Sequence, residues 1–178
     1  MDQKVNVWKA NLTNGIILGL IGIVYTLVMY FMDLSLNKTQ GYLFVVIQIV
    51  VLYFLVKSYR DNFLHGSMTY GQALGAGMVI CLYYAILIAI FTYILYAIID
   101  PDLMNKQLAA SEEMMLNRGM SDAQIEAGRQ FQEKIMKPEI MAPFSILGNL
   151  LWGLVLSLII GIFVRKEGNP LIDTPVNQ

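Results

Sequence analysis

The chain has 178 residues, of which 57% are hydrophobic and only 14% are charged. A typical soluble domain is about a quarter charged, so this composition excludes a disordered chain and disfavours a soluble globule. The formal net charge of −1 gives no electrostatic basis for binding nucleic acid. The single cysteine and single histidine exclude an intrachain disulfide and leave too few ligands for a zinc site. We therefore expect an integral membrane protein without a metal or other cofactor.

Four segments are long and apolar enough to cross about 30 Å of hydrocarbon as helices. They are predicted at about residues 12–32, 38–57, 72–99 and 140–164. The second reaches full length only if residues flanking 41–56 join it, and the third is long enough to tilt or protrude. The sequence therefore predicts an all-α, polytopic membrane protein in which residues 1–178 form a single membrane domain.

The basic residues favour an orientation with both termini inside. An even number of spans places the termini on one side, and the six basic residues of that side all lie close to span ends: Lys4, Lys9, Lys57, Arg60, Arg165 and Lys166. The opposite side also carries six, but Lys106, Arg118 and Arg129 lie well inside a long loop. The positive-inside rule gives most weight to charges near span ends, so both termini are predicted to be cytoplasmic.

The cores of the predicted spans contain no Asp, Glu, Lys, Arg or His. Proton relays and ion pathways usually need such residues, so their absence argues against a pump or secondary transporter. Gln48 is strongly polar, and it either contacts a substrate or, more simply, makes an interhelical hydrogen bond. One histidine cannot supply a set of nucleophile, base and orienting group, so no enzyme is predicted.

Small residues recur at helical spacing along three of the spans. They are predicted helix-packing positions: Gly15, Gly19 and Gly22 in the first span, Gly77, Cys81, Ala85 and Ala89 in the third, and Ser145, Asn149, Gly153, Ser157 and Gly161 in the fourth. Helices in lipid associate through close backbone approach, which small side chains allow. We interpret the stripes as packing within one four-helix bundle. The alternative is that one stripe faces a second copy or another membrane protein.

The polar segment at residues 100–139 is predicted to form a helical hairpin outside the membrane. Asp100–Pro101 and Ser121–Gln124 are typical helix starts, and Gly119 is a typical helix end. The thin apolar faces contain five positions that we interpret as possible partner contacts: Met104, Leu108, Met115, Phe131 and Ile135. The alternative is that this hairpin lies on the outer membrane interface.

The loop between the second and third spans carries six residues that form a local motif: Lys57, Tyr59, Arg60, Asp61, Tyr70 and Gln72. Basic residues and tyrosines are typical of a membrane interface, so the simplest interpretation is anchoring at the inner surface.

This loop, together with Asn14–Gly15 and Asp100–Pro101–Asp102, resembles the domain of unknown function 4199 family. The helical acidic loop and Lys166 after the last span also fit, so the resemblance covers nearly the whole chain. It implies a small four-span protein of the inner membrane of Gram-negative bacteria. It implies no activity.

Together these features favour a non-catalytic interaction or accessory module whose outer hairpin contacts a partner. The bilayer is its first expected partner, and a membrane protein or a second copy is the next. The alternative function is a small oligomeric transporter or channel.

Overall fold

The computed structural model describes residues 5–35 and 37–166. Its helices are α1 (Val7–Phe31), α2 (Lys38–Phe63), α3 (Tyr70–Ile94), α4 (Asp102–Asn117), α5 (Asp122–Ile135) and α6 (Pro138–Val164). A π-helical turn at Leu95–Ile99 continues α3. Lys4, which supported the predicted orientation, and the two ends of the predicted domain lie outside the described residues.

The helices α1, α2, α3 with its π-helical turn, and α6 are long and apolar enough to span a membrane. Each contains an 18-residue window with a mean hydropathy between 2.0 and 2.5. The helical backbone extends beyond the predicted spans, because α1 already begins at Val7 and α2 continues to Phe63. Hydropathy marks the part of a helix that lies in hydrocarbon, whereas the backbone hydrogen bonds continue into polar sequence at either end.

The helix α3 is the centre of the bundle. It makes the longest interfaces of the described chain, first with α6 and then with α1, while α2 packs less extensively against α1, α3 and α6. The core is formed by apolar side chains from all four spanning helices, including Leu18, Leu52, Val56, Ile80, Tyr84, Leu156 and Ile160. The outward faces expose large apolar side chains, as expected for helices surrounded by lipid.

The helix ends are joined by polar contacts at both ends of the bundle. At one end, the Tyr30 hydroxyl of α1 donates to the Asp100 carboxylate after the π-helical turn, at 3.2 Å. At the other end, Met68 and Lys166 form an antiparallel backbone pair, with N–H to O distances of 2.7 and 2.9 Å. The first contact lies on the side of α4 and α5, and the second lies beside the first and last described residues.

Candidate functional site

The glycines of α1 lie against α3. Gly15, Gly19 and Gly22 are all buried. A Cβ atom added at Gly19 would lie 2.5 Å from Leu87 Cδ1, and one at Gly15 would overlap Tyr83 Cβ. The first predicted stripe therefore lies at an interface within the chain, where the helix backbone of α1 touches the side chains of α3.

The small residues of α3 and α6 lie against one another. A Cβ atom at Gly153 would lie 2.6 Å from Cys81 Cβ, and one at Gly77 would overlap the Ser157 hydroxyl. Gly161 packs against the ring of Tyr70, with 3.0 Å between its ideal Cβ and Tyr70 Cε2. These positions meet within one chain, so they are not free to contact a second copy.

The remaining members of the two stripes differ in their surroundings. Ala85 and Ala89 of α3 are buried. Ser145 and Asn149 of α6 are only half-buried, and both donate to carbonyls of their own helix at 2.8 Å, Ala142 for the serine and Ser145 for the asparagine. The outer part of the α6 stripe is therefore satisfied locally and makes no described side-chain hydrogen bond to another helix.

A buried amide pair joins α1 to α2. Asn11 is fully buried, and its Nδ2 donates to Val7 O at 3.0 Å. Asn14 Nδ2 donates to Asn11 Oδ1 at 3.0 Å and to Leu55 O of α2 at 3.4 Å. Asn14 was predicted only through the family resemblance, and neither asparagine was among the predicted helix-packing positions. The sequence feature that could have identified this pair is the presence of two amide side chains three residues apart in a membrane span, where polar groups require partners.

Gln48 lies in the core of the bundle, where its side chain is 2% exposed. Its Nε2 has no hydrogen-bond partner among the described residues. The predicted interhelical hydrogen bond from this nitrogen is therefore not formed within the described chain.

The six motif residues that were predicted to lie in a loop belong to helices: Lys57, Tyr59, Arg60 and Asp61 lie near the end of α2, and Tyr70 and Gln72 lie in the first turn of α3. The motif holds three helix ends together. Arg60 Nη1 donates to Val164 O, the last carbonyl of α6, at 3.0 Å, while Arg60 Nε pairs with Asp61 at 2.7 Å. The Tyr70 hydroxyl donates to Leu158 O at 3.1 Å. These contacts fix the ends of α2, α3 and α6 relative to one another.

Two other members of the motif, Gln72 and Tyr59, make contacts with residues close to them in sequence. The side chain of Lys57 is half-buried. Gln72 and Thr69 form the capping box that begins α3. Tyr59 is 3% exposed and stacks on Phe63, with 5.8 Å between the ring centroids. The expected interfacial anchoring does not describe Tyr59, because its ring packs inside the bundle.

A second polar cluster forms where the π-helical turn meets α4. The Asp100 carboxylate accepts from Lys106 Nζ and from the Tyr30 hydroxyl, each at 3.2 Å. Burial raises the pKa of Asp100, but the hydrogen bonds from Lys106, Tyr30 and the Leu103 backbone N–H outweigh it, so the pKa lies below its ordinary value. The hydrogen bond to Asp100 correspondingly raises the pKa of Lys106. The cluster ties α1, α3 and α4 together.

The helices α4 and α5 pack against each other. Gln132 Nε2 donates to Ser111 Oγ at 2.8 Å, and Arg129 lies 3.4 Å from Glu112. Met115 covers Gly128, since a Cβ atom there would lie 3.0 Å from Met115 Cε.

The five predicted partner contacts therefore divide into two groups. Met115 is used inside the α4–α5 pair, and Met104 and Leu108 of α4 are half-buried. Phe131 and Ile135 of α5 are 63% and 42% exposed. Only the second pair presents large apolar side chains that the described chain leaves uncovered.

The interactions found at the predicted site residues are side-chain packing between helices and hydrogen bonding. No group of three or more His, Cys, Asp or Glu in the described ranges is placed to hold a metal ion. Cys81 is fully buried between α3 and α6, and His65 lies in the exposed loop after α2. The clusters around Asp100 and Arg60 join helix ends, while the Asn11–Asn14 pair joins α1 to α2 within the bundle.

Four apolar helices, with α3 packed against the other three and polar contacts joining helix ends, define a multi-pass membrane protein. The chain belongs to the family described as Protein of unknown function (DUF4199), whose model matches residues 13–166. This match confirms the resemblance noted from the sequence. No curated protein and no solved structure matches the chain significantly.

Proposed function

We propose that this protein is a non-catalytic accessory module of a bacterial inner membrane, with both termini in the cytoplasm. In this proposal α4 and α5 form a hairpin outside the bilayer, and the distal half of that hairpin contacts a membrane-protein partner.

The observation that carries the proposal is the way the hairpin is attached. At its base, Asp100 binds Lys106 and Tyr30, and Gln107 of α4 donates to the Tyr96 hydroxyl. Beyond this base, α4 and α5 contact chiefly each other. At about 1.5 Å per residue, the 16 residues of α4 extend roughly 24 Å. Such a hairpin presents a surface at a fixed position relative to the spanning helices.

The distal half has a composition suited to recognition. Leu116 is 58% exposed near the end of α4, and the acidic residues Glu113 of α4 and Asp122 at the start of α5 are exposed as well. An exposed apolar side chain among charges resembles the centre and rim of a protein interface.

A deletion confined to this distal half tests the proposal. Removing residues 116–127 and joining Met115 to Gly128 by a short Gly/Ser linker is geometrically feasible, because these two residues are already in contact. The Asp100 cluster and the base of α5 remain. We expect the shortened protein to insert and to keep its thermal stability in detergent, but to lose the protein that the intact chain recovers by cross-linking in native membranes.

The matched control is Thr39→Ala at an exposed position in the first turn of α2, on the same side of the bundle as the hairpin. It should leave the cross-linked protein unchanged. Recovery of the same protein by the shortened chain would contradict the accessory role.

One observation favours a second candidate function, a small oligomeric transporter or channel. Gln48 places an unpaired amide nitrogen in the core of the described bundle, and unpaired polar groups in membrane spans often mark substrate paths. The two functions differ in whether they require the Gln48 amide. A substrate path through the bundle requires this amide, whereas a role in helix packing is compatible with leucine at the same position.

A further inference from the structure

The end of α5 and the start of α6 enclose an apolar groove of about 470 Å³. We call it the α5–α6 groove, and its lining consists mainly of Phe131, Ile135, Met136, Ile140, Met141 and Phe144. Ser145 adds a hydroxyl that already donates to Ala142 O at 2.8 Å, so the groove offers no unpaired side-chain polar group from its lining. Its volume lies within the range of about 300–1,000 Å³ that is typical of small-molecule sites.

The α5–α6 groove opens towards the lipid-facing surface of the bundle. Phe144 belongs to the groove and is 69% exposed. Leu147 and Leu151 follow it on the same face of α6 and are 56% and 60% exposed. The apolar surface that faces hydrocarbon along α6 therefore continues without a polar break into the groove.

Two lysines lie beside the groove. Lys134 follows Phe131 by three residues, a spacing that places both on one side of α5, and Lys137 precedes the first residue of α6. Both side chains are exposed, and neither forms an ion pair with any residue that the structure describes. Glu133 is held by Arg129 at 2.9 Å, which leaves Glu139 as the nearby carboxylate in sequence.

We propose that the α5–α6 groove binds an acyl chain of an anionic phospholipid from the surrounding bilayer, with Lys134 and Lys137 against its phosphate. Lysine side chains near a membrane surface extend their ammonium groups to the headgroup region while their stems cover apolar surface. The lipid fills the apolar lining, and its phosphate pairs with two lysines that form no ion pair among the described residues. It also fixes the base of the hairpin at the level of the headgroups.

This inference goes beyond the accessory role and does not depend on it. It assigns Phe131 and Ile135 to lipid and leaves protein contacts to the distal half of the hairpin. The deletion of residues 116–127 spares the groove, so failure of one proposal is distinguishable from failure of the other.

Native mass spectrometry of the full-length, delipidated protein tests the site. The probes are phosphatidylglycerol and phosphatidylcholine with the same acyl chains. We expect one phosphatidylglycerol to be retained preferentially, and we expect the preference to weaken as salt rises. The double variant Phe131→Gln, Ile135→Gln should weaken retention by about tenfold or more, because it removes apolar lining. Lys134→Gln with Lys137→Gln should reduce phosphatidylglycerol retention to the level of phosphatidylcholine.

Leu116→Gln is the matched control, because Leu116 is an exposed apolar residue of the same hairpin that does not line the groove. It should retain the lipid normally. Equal retention by the groove variants and the control would overturn the proposal.

A second measurement does not require any variant to fold. The wild-type chain in bilayers that contain phosphatidylglycerol with a photoreactive acyl chain should cross-link within residues 131–144. Cross-links confined to other parts of the chain would overturn the proposal. In native membranes, capture of a protein by a photoreactive residue at Phe131, without lipid capture, would assign the groove to a protein partner and would also overturn it.

Discussion

Asp100 is the residue at which the ends of α1 and α3 meet α4. Its carboxylate is bonded by a side chain 70 residues earlier and by another six residues later. A buried carboxylate that accepts these hydrogen bonds contributes to stability in its charged form, because the hydrogen bonds favour the ionised carboxylate over the protonated one. The sign of the pKa shift therefore predicts a loss of stability in acid.

The stability that Asp100 contributes is predicted to depend on pH. The pKa of folded Asp100 lies below the unfolded value of about 3.9, so its contribution is fully present above that value and is lost as pH falls through the folded pKa. Asp100→Asn should lower the unfolding temperature in detergent at pH 7, and the difference from wild type should shrink towards pH 3. Asp33→Asn, at an exposed turn position on the same side of the bundle, is the control. A difference between wild type and Asp100→Asn that is independent of pH would contradict this role for the charge.

At the scale of elements, the contact between α3 and α6 is the largest interface of the described bundle, and its spacing is set by small residues. Gly153 packs against Cys81, and Gly77 packs against Ser157. Lipid offers no hydrophobic reason for two apolar helices to associate, so the close fit between them is what stabilises the pair. Added atoms at these positions would force the backbones apart.

Two glycines of α6 give a matched comparison. A Cβ atom at Gly153 would lie 2.6 Å from Cys81 Cβ, whereas one at Gly148 would meet no atom within 4 Å. Gly153→Ala should destabilise the protein, because overpacking of a fitted core costs about 1–3 kcal/mol. Gly148→Ala should be neutral or stabilising by up to about 1 kcal/mol, since alanine is the better helix former. Thermal unfolding in one detergent measures both, and a lower unfolding temperature for Gly148→Ala than for Gly153→Ala would contradict the interface.

At the scale of the whole molecule, the long-range contacts define the two ends of the bundle. Tyr30 and Asp100 join the ends of α1 and α3 on the side of the hairpin, while Arg60 and Val164 join α2 to α6 on the opposite side. Lys57, Arg60 and Lys166 all lie on that opposite side. The positive-inside rule applied to these charges predicts that it faces the cytoplasm.

Reporter insertions test this orientation. A reporter that is active only in the cytoplasm should be active when it is inserted after Gly66, in the loop between α2 and α3. A reporter that is active only outside the cytoplasm should be active when it is inserted after Gly119, where the positive φ of 71° marks the turn between α4 and α5. Both sites lie in turns, so an insertion leaves the spanning helices intact. The reverse pattern at the two sites would show that the membrane domain is oriented the other way.

The sequence by itself determined that the chain is a four-span membrane protein. The thickness of the hydrocarbon core sets a length of about 20 apolar residues for each helix, and this requirement is local, so four hydropathic segments can be recognised without knowledge of their neighbours. The small-residue stripes are equally local and predict which positions approach another helix. The helix start at Ser121 also depends only on the next few residues.

Only the tertiary structure decided which helix each stripe contacts. Gly19 meets Leu87, and Gly153 meets Cys81, because α3 occupies the centre of the bundle, and no periodicity along a single helix specifies its neighbour. Arg60 in the last turn of α2 contacts the carbonyl of Val164, 104 residues later, so this contact could not be recognised from the local motif to which Arg60 was assigned. The α5–α6 groove likewise depends on the angle between two helices, which is set by packing and not by the sequence of either one. Local spacing fixes what a residue is able to contact, and the packing of distant helices determines what it does contact.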